Sequence, residues 1–433
     1  MNDQSNVKLL SLLNTLYVDR YVLFFLYQPH VKIVLKGDEA YLEKVNRKWN
    51  SVWIFCSFLE AFAIVFVCVW GIHCVLRDEV AQSVQTEVDL RFLVWGCLAA
   101  YLTLGTLLYY LLLVKCLDNI INGYRQSLIL EGRLKREYLK SSAQAENKKT
   151  IPVIEQAFYF VMSIFAYVGY FFTPFGALGV MMLDLDPLYY IQNDMFITMP
   201  WVLAILKAVT VQSDILLILL CTLVRFCCLV FAMYEIERAV LFGTAFSYHT
   251  LKVMRDINNL ISDFFALDLS KGETGRSLRN FLLHTYRIVL ILFVNIENLI
   301  RVGCLASPLV GGMLIILCNY VLIKMHSQIG YPMTLAFVGL NVFSLISVKM
   351  GWEMCVNVHV AYSNLLGNFV SQDLILKILK LDRNEYLKAV KALRPILFPL
   401  GVWNYTLMSA CRENKLGLLA TVLDETITCI MTF

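Results

Sequence analysis

The sequence predicts an all-α, polytopic membrane protein with seven transmembrane helices, a cytosolic N-terminus and an extracellular C-terminus. Two observations predict this fold class, namely the share of apolar residues and the placement of basic ones. Of the 433 residues, 59% are apolar and 16% are charged, against roughly 45–50% and about 25% in soluble globular domains. Composition therefore excludes a disordered, fibrous or ordinary cytosolic protein. The net charge of +4 is too small to indicate nucleic-acid binding.

Seven long apolar runs supply the predicted helices. Each can cross a hydrocarbon core of ~30 Å, which takes about 20 helical residues. They occupy residues 51–76, 90–116, 152–182, 209–243, 286–323, 331–368 and 399–433. Before them, residues 8–35 are apolar but interrupted by charges and a proline. We interpret this stretch as amphipathic, lying on the membrane surface or against the helical bundle.

The basic residues set the predicted orientation. The N-terminal 50 residues and the second, fourth and sixth connections together hold 26 Lys and Arg residues. The first, third and fifth connections hold only Arg77, Lys207 and Lys324. The positive-inside rule then places the N-terminus in the cytosol. This orientation is opposite to that of G-protein-coupled receptors, and no DRY-like triplet follows the third span and no NPxxY lies near the end of the sequence, so no G protein is expected.

Three of the predicted helices are too long for a bilayer. The fifth, with its flank, covers residues 284–325, which is about 63 Å at 1.5 Å per residue. The sixth extends over 331–370, and the fourth continues towards Leu260. We expect helices 4–7 to project into the cytosol and to form a bundle there. The predicted organisation is a cytosolic or interfacial segment (1–50), helices 1–4 with an outer ligand pocket (51–260), helices 5–6 with an intracellular anchor bundle (261–398) and a pore-lining seventh helix (399–433).

The last helix carries a polar stripe. Its members recur at spacings of four, three and four residues, which places them on one face of a helix: Thr421, Glu425, Thr428 and Thr432. A stripe of this kind either lines water or bonds to a neighbouring helix. In a ring of such helices, Glu425 would supply an acidic charge that favours cations.

Two segments of the C-terminal half resemble the insect odorant receptor family, which forms the insect seven-helix chemoreceptors together with the gustatory receptors. The first is LHTYRI at 283–288 followed by NIENL at 295–299, and the second is ALRPI at 392–396 followed by Gly401. Gustatory members end in TY, five apolar residues and QF. The end of this chain, TITCIMTF at 426–433, lacks the Tyr and the Gln, which favours the odorant branch.

The resemblance implies one subunit of a tetrameric, ligand-gated, non-selective cation channel that small volatile or apolar molecules open. Such subunits lie in the plasma membrane of sensory neurons, contact membrane lipid and assemble as homotetramers or with a shared co-receptor. No cofactor or metal is implied. By position, the pore candidates are Thr421, Glu425, Thr428, Ile430, Thr432 and Phe433, with Ile430 and Phe433 as the hydrophobic gate.

In this family the ligand binds within each subunit, in the outer half of the bundle made by the second, third, fourth and sixth helices. The matching positions in this chain are Phe92, Trp95, Tyr101, Tyr167, Tyr170, Phe171, Gln212, Leu216, Phe337 and Asn341. A pocket rich in aromatic residues with few polar groups suits small apolar molecules.

The other functions to consider for a helical membrane protein of this kind are an enzyme, a secondary transporter and a gustatory receptor. An enzyme is disfavoured because HExxH, GxSxG and P-loop motifs are absent from the sequence. A secondary transporter predicts internal repeats and matching broken spans, which the sequence does not clearly contain. A gustatory receptor of the same superfamily and, in a different class, a secondary transporter stay the alternatives. Ionisable residues at membrane depth are functional candidates, and Arg225 in the fourth span needs a carboxylate or carbonyl partner that the sequence does not name.

Overall fold

In the computed structural model, helices make up most of the chain. The structure describes residues 5–19, 31–36, 39–44, 50–82, 94–96, 98–100, 103, 105–106, 117–141, 153–182, 185–210, 212–270, 276–324, 326, 330–370, 380–402 and 405–432. In chain order the helices within these ranges are α1 Ser5–Asn14, α2 Asn50–Gln82, α3 Leu117–Ser141, α4 Val153–Met182, α5 Pro187–Thr198, α6 Pro200–Val209, α7 Asp214–Ser270, α8 Arg276–Lys324, α9 Tyr331–Phe369, α10 Lys380–Lys391 and α11 Arg412–Thr432. Two antiparallel hairpins pair β1 Val31–Lys36 with β2 Glu39–Lys44 and β3 Pro399–Val402 with β4 Tyr405–Ser409.

Four helices within the described residues are long and apolar enough to cross a bilayer, which indicates a membrane protein. The segments are Glu155–Met182 in α4, Asp214–Phe265 in α7, Ile300–Lys324 in α8 and Thr334–Phe369 in α9. They correspond to the predicted third to sixth spans. The predicted first span lies in α2, where the apolar segment Ala61–Cys74 is shorter, and most of residues 90–116 lie outside the described residues. The count of seven therefore stays a prediction.

The last apolar run is not one continuous helix, as the sequence predicted. It begins with the β3–β4 hairpin, and α11 starts only at Arg412. A Cβ atom on Gly401 would overlap the carbonyl oxygen of Tyr405, so a residue without a side chain is required where the two strands meet. Pro399, which lacks an N–H, and the β-branched residues of both strands favour extended backbone over helix.

The predicted excess helix length is confirmed. Helix α7 has 57 residues, α8 has 49 and α9 has 39, which correspond to about 86, 74 and 58 Å. A hydrocarbon core of ~30 Å accommodates half of these lengths or less. Helix α7 is also unbroken across the predicted domain boundary at residue 260.

Parts of the long helices α7, α8 and α9 pack with α3, α10 and β3 around the largest buried hydrophobic cluster among the described residues. Its tyrosines bury their rings and donate their hydroxyls to backbone carbonyls, Tyr286 to Arg394 at 2.9 Å and Tyr362 to Met254 at 3.1 Å. Burial raises the pKa of the Tyr286 hydroxyl, which keeps it protonated as a donor. Each such buried aromatic contributes roughly 1.5–3 kcal/mol through burial. The LHTYRI segment of the family resemblance thus contributes to the core of this bundle.

The N-terminal helix lies against the bundle, which is one of the two placements that the sequence left open. Leu9, Leu10 and Leu13 of α1 are buried against α4 and α7. Tyr17, in the π-helical turn that follows, is fully buried and donates to the carbonyl of Ala166 at 3.1 Å. Burial, and after it the charge of Glu237, raises the pKa of the Tyr17 hydroxyl.

The contact between α4 and α7 depends on a glycine. A Cβ atom on Gly169 would overlap the carboxylate of Glu237, and that carboxylate accepts a hydrogen bond from Thr173 at 3.1 Å. The glycine therefore makes room for a carboxylate that is inserted between two helices.

Gly169→Ala should lower the free energy of unfolding by about 1–3 kcal/mol because the added methyl overpacks this contact. The measurement is thermal unfolding of the purified chain in detergent. Gly243→Ala is the matched control, since nothing lies within 4 Å of its Cβ position, and it should gain about 0.5–1 kcal/mol. In a Glu237→Ala background the Gly169→Ala penalty should disappear. Equal stability of the two glycine variants would contradict the proposed close approach.

Candidate pore helix and ligand site

Helix α11 has one packed face and two exposed ones. Its packed face lies on α8, where Thr426 is buried and a Cβ atom on Gly312 would come within 3.3 Å of Val422. The predicted polar stripe is exposed at Thr421, Glu425 and Thr428. With about 100° between successive residues, a third face carries exposed apolar side chains, at Leu419, Leu423, Ile427 and Met431. The helix is therefore packed on one side only.

The gate candidates lie apart from this stripe or outside the described residues. Ile430 is half-buried and packs against Leu317, Tyr320 and Val321 of α8, roughly opposite the stripe on the helix. Phe433 lies outside the described residues, and only the backbone of Thr432 is described. A straight α11 thus does not present Ile430 and the polar stripe to one axis, and the gate stays a prediction.

Two predicted ligand residues on α9 lie close to the predicted pore helix α11. Phe337 is half-buried and packs against the same cluster on α8, Leu317, Tyr320 and Val321, as Ile430 of α11 does. Asn341 is buried, and its Nδ2 donates to Oδ1 of Asn319 on α8 at 2.6 Å. The amide of Asn319 in turn approaches Thr426 on α11. The structure therefore connects the predicted pocket helix, through α8, to the predicted pore helix.

Arg225 forms an ion pair with Asp186. Its Nε donates to Oδ2 of Asp186 at 2.6 Å, and the carboxylate is fully buried. Oδ1 of Asp186 also caps α5 by accepting from the backbone N–H of Leu188 at 2.9 Å. The guanidinium carbon lies 4.9 Å from the centre of the Tyr189 ring, which adds a cation–π contact. The sequence holds a local signal for this cap, since an Asp before a Pro is typical of a helix start.

Helix α5 also binds to α2 and to the region of the predicted second span. Trp95 is buried, donates from Nε1 to the carbonyl of Leu185 at 2.8 Å, and contacts the ring of Tyr190 at 5.4 Å. Asp194 of α5 accepts from the indole of Trp70 at 3.1 Å and pairs with Arg77 at 2.8 Å. These contacts hold the connection between α4 and α7 in place, and they give Trp95 a structural hydrogen bond whether or not a ligand contacts it.

The remaining predicted ligand residues are dispersed. Tyr167, Phe171 and Leu216 are 49%, 58% and 49% exposed, and Gln212 is exposed in the turn before α7 with φ of 59°. Tyr170 is half-buried between Tyr17 and Tyr234. Phe92 and Tyr101 lie outside the described residues. The described side chains therefore fall into separate groups around Trp95, Tyr170 and Asn341, rather than one set of mutual contacts.

Sequence reasoning missed Asp186, Asn319 and Thr426, which make the polar contacts between these helices. Among the described residues, no group of three or more His, Cys, Asp or Glu side chains could hold a metal ion. The site therefore offers aromatic surface, a few amides and hydroxyls, and exposed acidic residues on α11, of which Glu425 lies on the polar stripe.

Comparison with known proteins decides the fold. No family model and no curated protein matches the chain. The solved structure of the olfactory receptor OR5 from Machilis hrabei in complex with eugenol matches over 99% of this chain and 98% of its own, with a TM-score of 0.56 at 9% identity. The chain has the fold of an insect olfactory receptor.

A second structure of the same receptor matches over 99% of this chain and 97% of its own, at 9% identity and a TM-score of 0.52. The olfactory-receptor fold therefore extends over the whole chain, not only over the C-terminal half that carries the sequence motifs. This confirms, at the level of the fold, the resemblance drawn from those motifs.

Proposed function

We propose that the chain is an odorant receptor: one subunit of a tetrameric, non-selective cation channel that small volatile molecules open, in the plasma membrane of sensory neurons. The observation that carries the proposal is the one-sided packing of α11 within an olfactory-receptor fold. The helix rests on α8 and leaves a polar stripe and an apolar face exposed.

The two exposed faces of α11 would be stabilised by different neighbours. The charge of Glu425 is unfavourable against lipid and favourable against water in a pore. The exposed leucines and isoleucine of the third face need an apolar neighbour. A ring of four copies around an axis supplies both, with water at the stripe and a neighbouring subunit or lipid beside the apolar face.

The ligand class follows from the side chains available. The fold match includes a receptor in complex with eugenol, which is a small aromatic alcohol. In this chain the candidate ligand residues are mainly aromatic, with Asn341 and Gln212 as the amides. We infer that recognition depends on shape and dispersion, with few hydrogen bonds.

The test is electrical. The chain is expressed in oocytes, alone and with an insect odorant co-receptor, and mixed volatiles and sugars are applied under voltage clamp while surface expression is measured. We expect a volatile-evoked cation current that requires the co-receptor. Current without a partner would make the chain a self-sufficient channel, and current evoked only by sugars would favour the gustatory alternative. Silence in all conditions, with the chain at the surface, would contradict a channel.

A further inference from the structure

Three polar side chains on three different helices form a hydrogen-bonded chain through the apolar part of the molecule. Nδ2 of Asn341 on α9 donates to Oδ1 of Asn319 on α8 at 2.6 Å. Nδ2 of Asn319 approaches Oγ1 of Thr426 on α11 at 3.5 Å. Oγ1 of Thr426 donates to the carbonyl of Val422 at 2.7 Å. We name these three side chains the amide relay.

The direction of the relay follows from its donors. The hydroxyl of Thr426 has one hydrogen, which the carbonyl of Val422 accepts, so its oxygen is left to accept from Asn319. Asn319 must then turn its NH₂ group towards Thr426 and its carbonyl oxygen towards Asn341. Asn341 in turn directs its NH₂ group to Asn319, so each amide orientation depends on the next.

The two ends of the relay are buried, where a polar group needs a partner. Asn341 is 9% exposed and Thr426 is 5% exposed, whereas Asn319 between them is half-buried. Within an apolar bundle, apolar contacts allow helices to slide, whereas a hydrogen bond between helices fixes their relative position. Movement of α9 would therefore change the position of α11 through Asn319.

The α9 end of the relay has an unused acceptor. Oδ1 of Asn341 is buried and has no hydrogen-bond partner among the described residues. An unsatisfied buried acceptor is unfavourable, so a ligand that donates a hydrogen bond to it, such as an alcohol or a phenol, would satisfy this acceptor and change the balance of contacts that positions Asn341.

We propose that the amide relay couples ligand binding at α9 to the pore helix α11, with Asn319 and Thr426 as positioning residues that touch neither ligand nor permeating ion. The inference rests on the proposed function, because it requires that the chain conducts ions in response to a ligand.

The test uses the chain with its co-receptor in oocytes, and the readouts are the half-maximal concentration and the maximal current for a phenolic volatile such as eugenol. The variants are Asn319→Leu, Thr426→Val and the double variant. Asn341 itself is left intact because a change there could alter ligand contact directly. Each single variant should raise the half-maximal concentration about fivefold or more, as expected for one hydrogen bond. The double variant should be no worse than the more affected single variant, because both remove the same chain.

Matched controls are Asn357→Leu, on an exposed position of α9, and Thr334→Val, whose hydroxyl bonds only to its own helix at Gly330. Both should behave as wild type. Half-maximal concentrations that stay within twofold of wild type, or that fall, would overturn the relay, as would single effects that multiply in the double variant. A wild-type chain that reaches the surface and gives no current would instead overturn the proposed function.

Discussion

Arg225→Met should prevent most of the chain from reaching the cell surface. The substitution leaves the fully buried carboxylate of Asp186 without its cation, and an unpaired buried charge costs about 3–5 kcal/mol. That loss is comparable to the whole stability of many folded domains, which is about 5–15 kcal/mol. Surface biotinylation and thermal unfolding in detergent measure the effect.

The structure offers a rescue and a control for this prediction. The double variant Asp186→Asn with Arg225→Met should recover much of the loss, because no buried charge remains and Asn still caps α5. Lys207→Met removes the cation of an exposed pair with Asp214 at 3.2 Å, where the side chains are 43% and 74% exposed. Exposed pairs contribute little, so Lys207→Met should resemble wild type. Equal effects of Lys207→Met and Arg225→Met would contradict a structural role for the buried pair.

Charge reversal at Glu425 should change which ions pass. Glu425 is the acidic member of the exposed stripe on α11, and four copies around a pore would place four carboxylates near the ion path. Glu425→Lys should lower the cation conductance about tenfold or more, and Glu425→Gln should have a smaller effect in the same direction. Single-channel conductance and the reversal potential under a NaCl gradient are the measurements.

The neighbouring residue supplies the comparison. Asp424 is also exposed, but it is rotated by about 100° from Glu425 on the helix. Asp424→Asn removes the same charge from a different face and should leave conductance and selectivity close to wild type. If Asp424→Asn and Glu425→Gln changed conductance equally, the stripe would not define the pore-facing side of α11.

Local sequence signals predicted the long helices well. Helix α9 was expected over residues 331–370 and occupies Tyr331–Phe369, because Gly330 and Pro332 mark its start and an apolar run follows. Apolarity alone failed at residues 399–433, where it does not distinguish a hairpin from a helix. The close approach of Gly401 to the carbonyl of Tyr405, which leaves no room for a Cβ atom, is a contact between strands that hydropathy does not reveal.

The candidate site was predicted only in part, because local signals do not show which residues of different helices meet. The stripe on α11 follows from the spacing of Thr421, Glu425 and Thr428, which is a property of one helix. That Thr426 is buried, while Thr421 is exposed, depends on which face α8 covers. No local pattern singled out Asn319, because the function of an asparagine in an apolar run depends on its partner, here the amide of Asn341 on another helix.

The sequence by itself determined that this is a helical membrane protein, where its long helices run, and which positions of the last helix are polar, because apolar content and helical periodicity are local properties. Only the tertiary structure decided that Asp186, 39 residues before Arg225, neutralises it, and that Asn341, Asn319 and Thr426 meet. Those pairings depend on how three or more helices approach one another. The relative position of the helices is determined by the packing of many side chains, and the spacing of a few residues along the sequence does not reveal it.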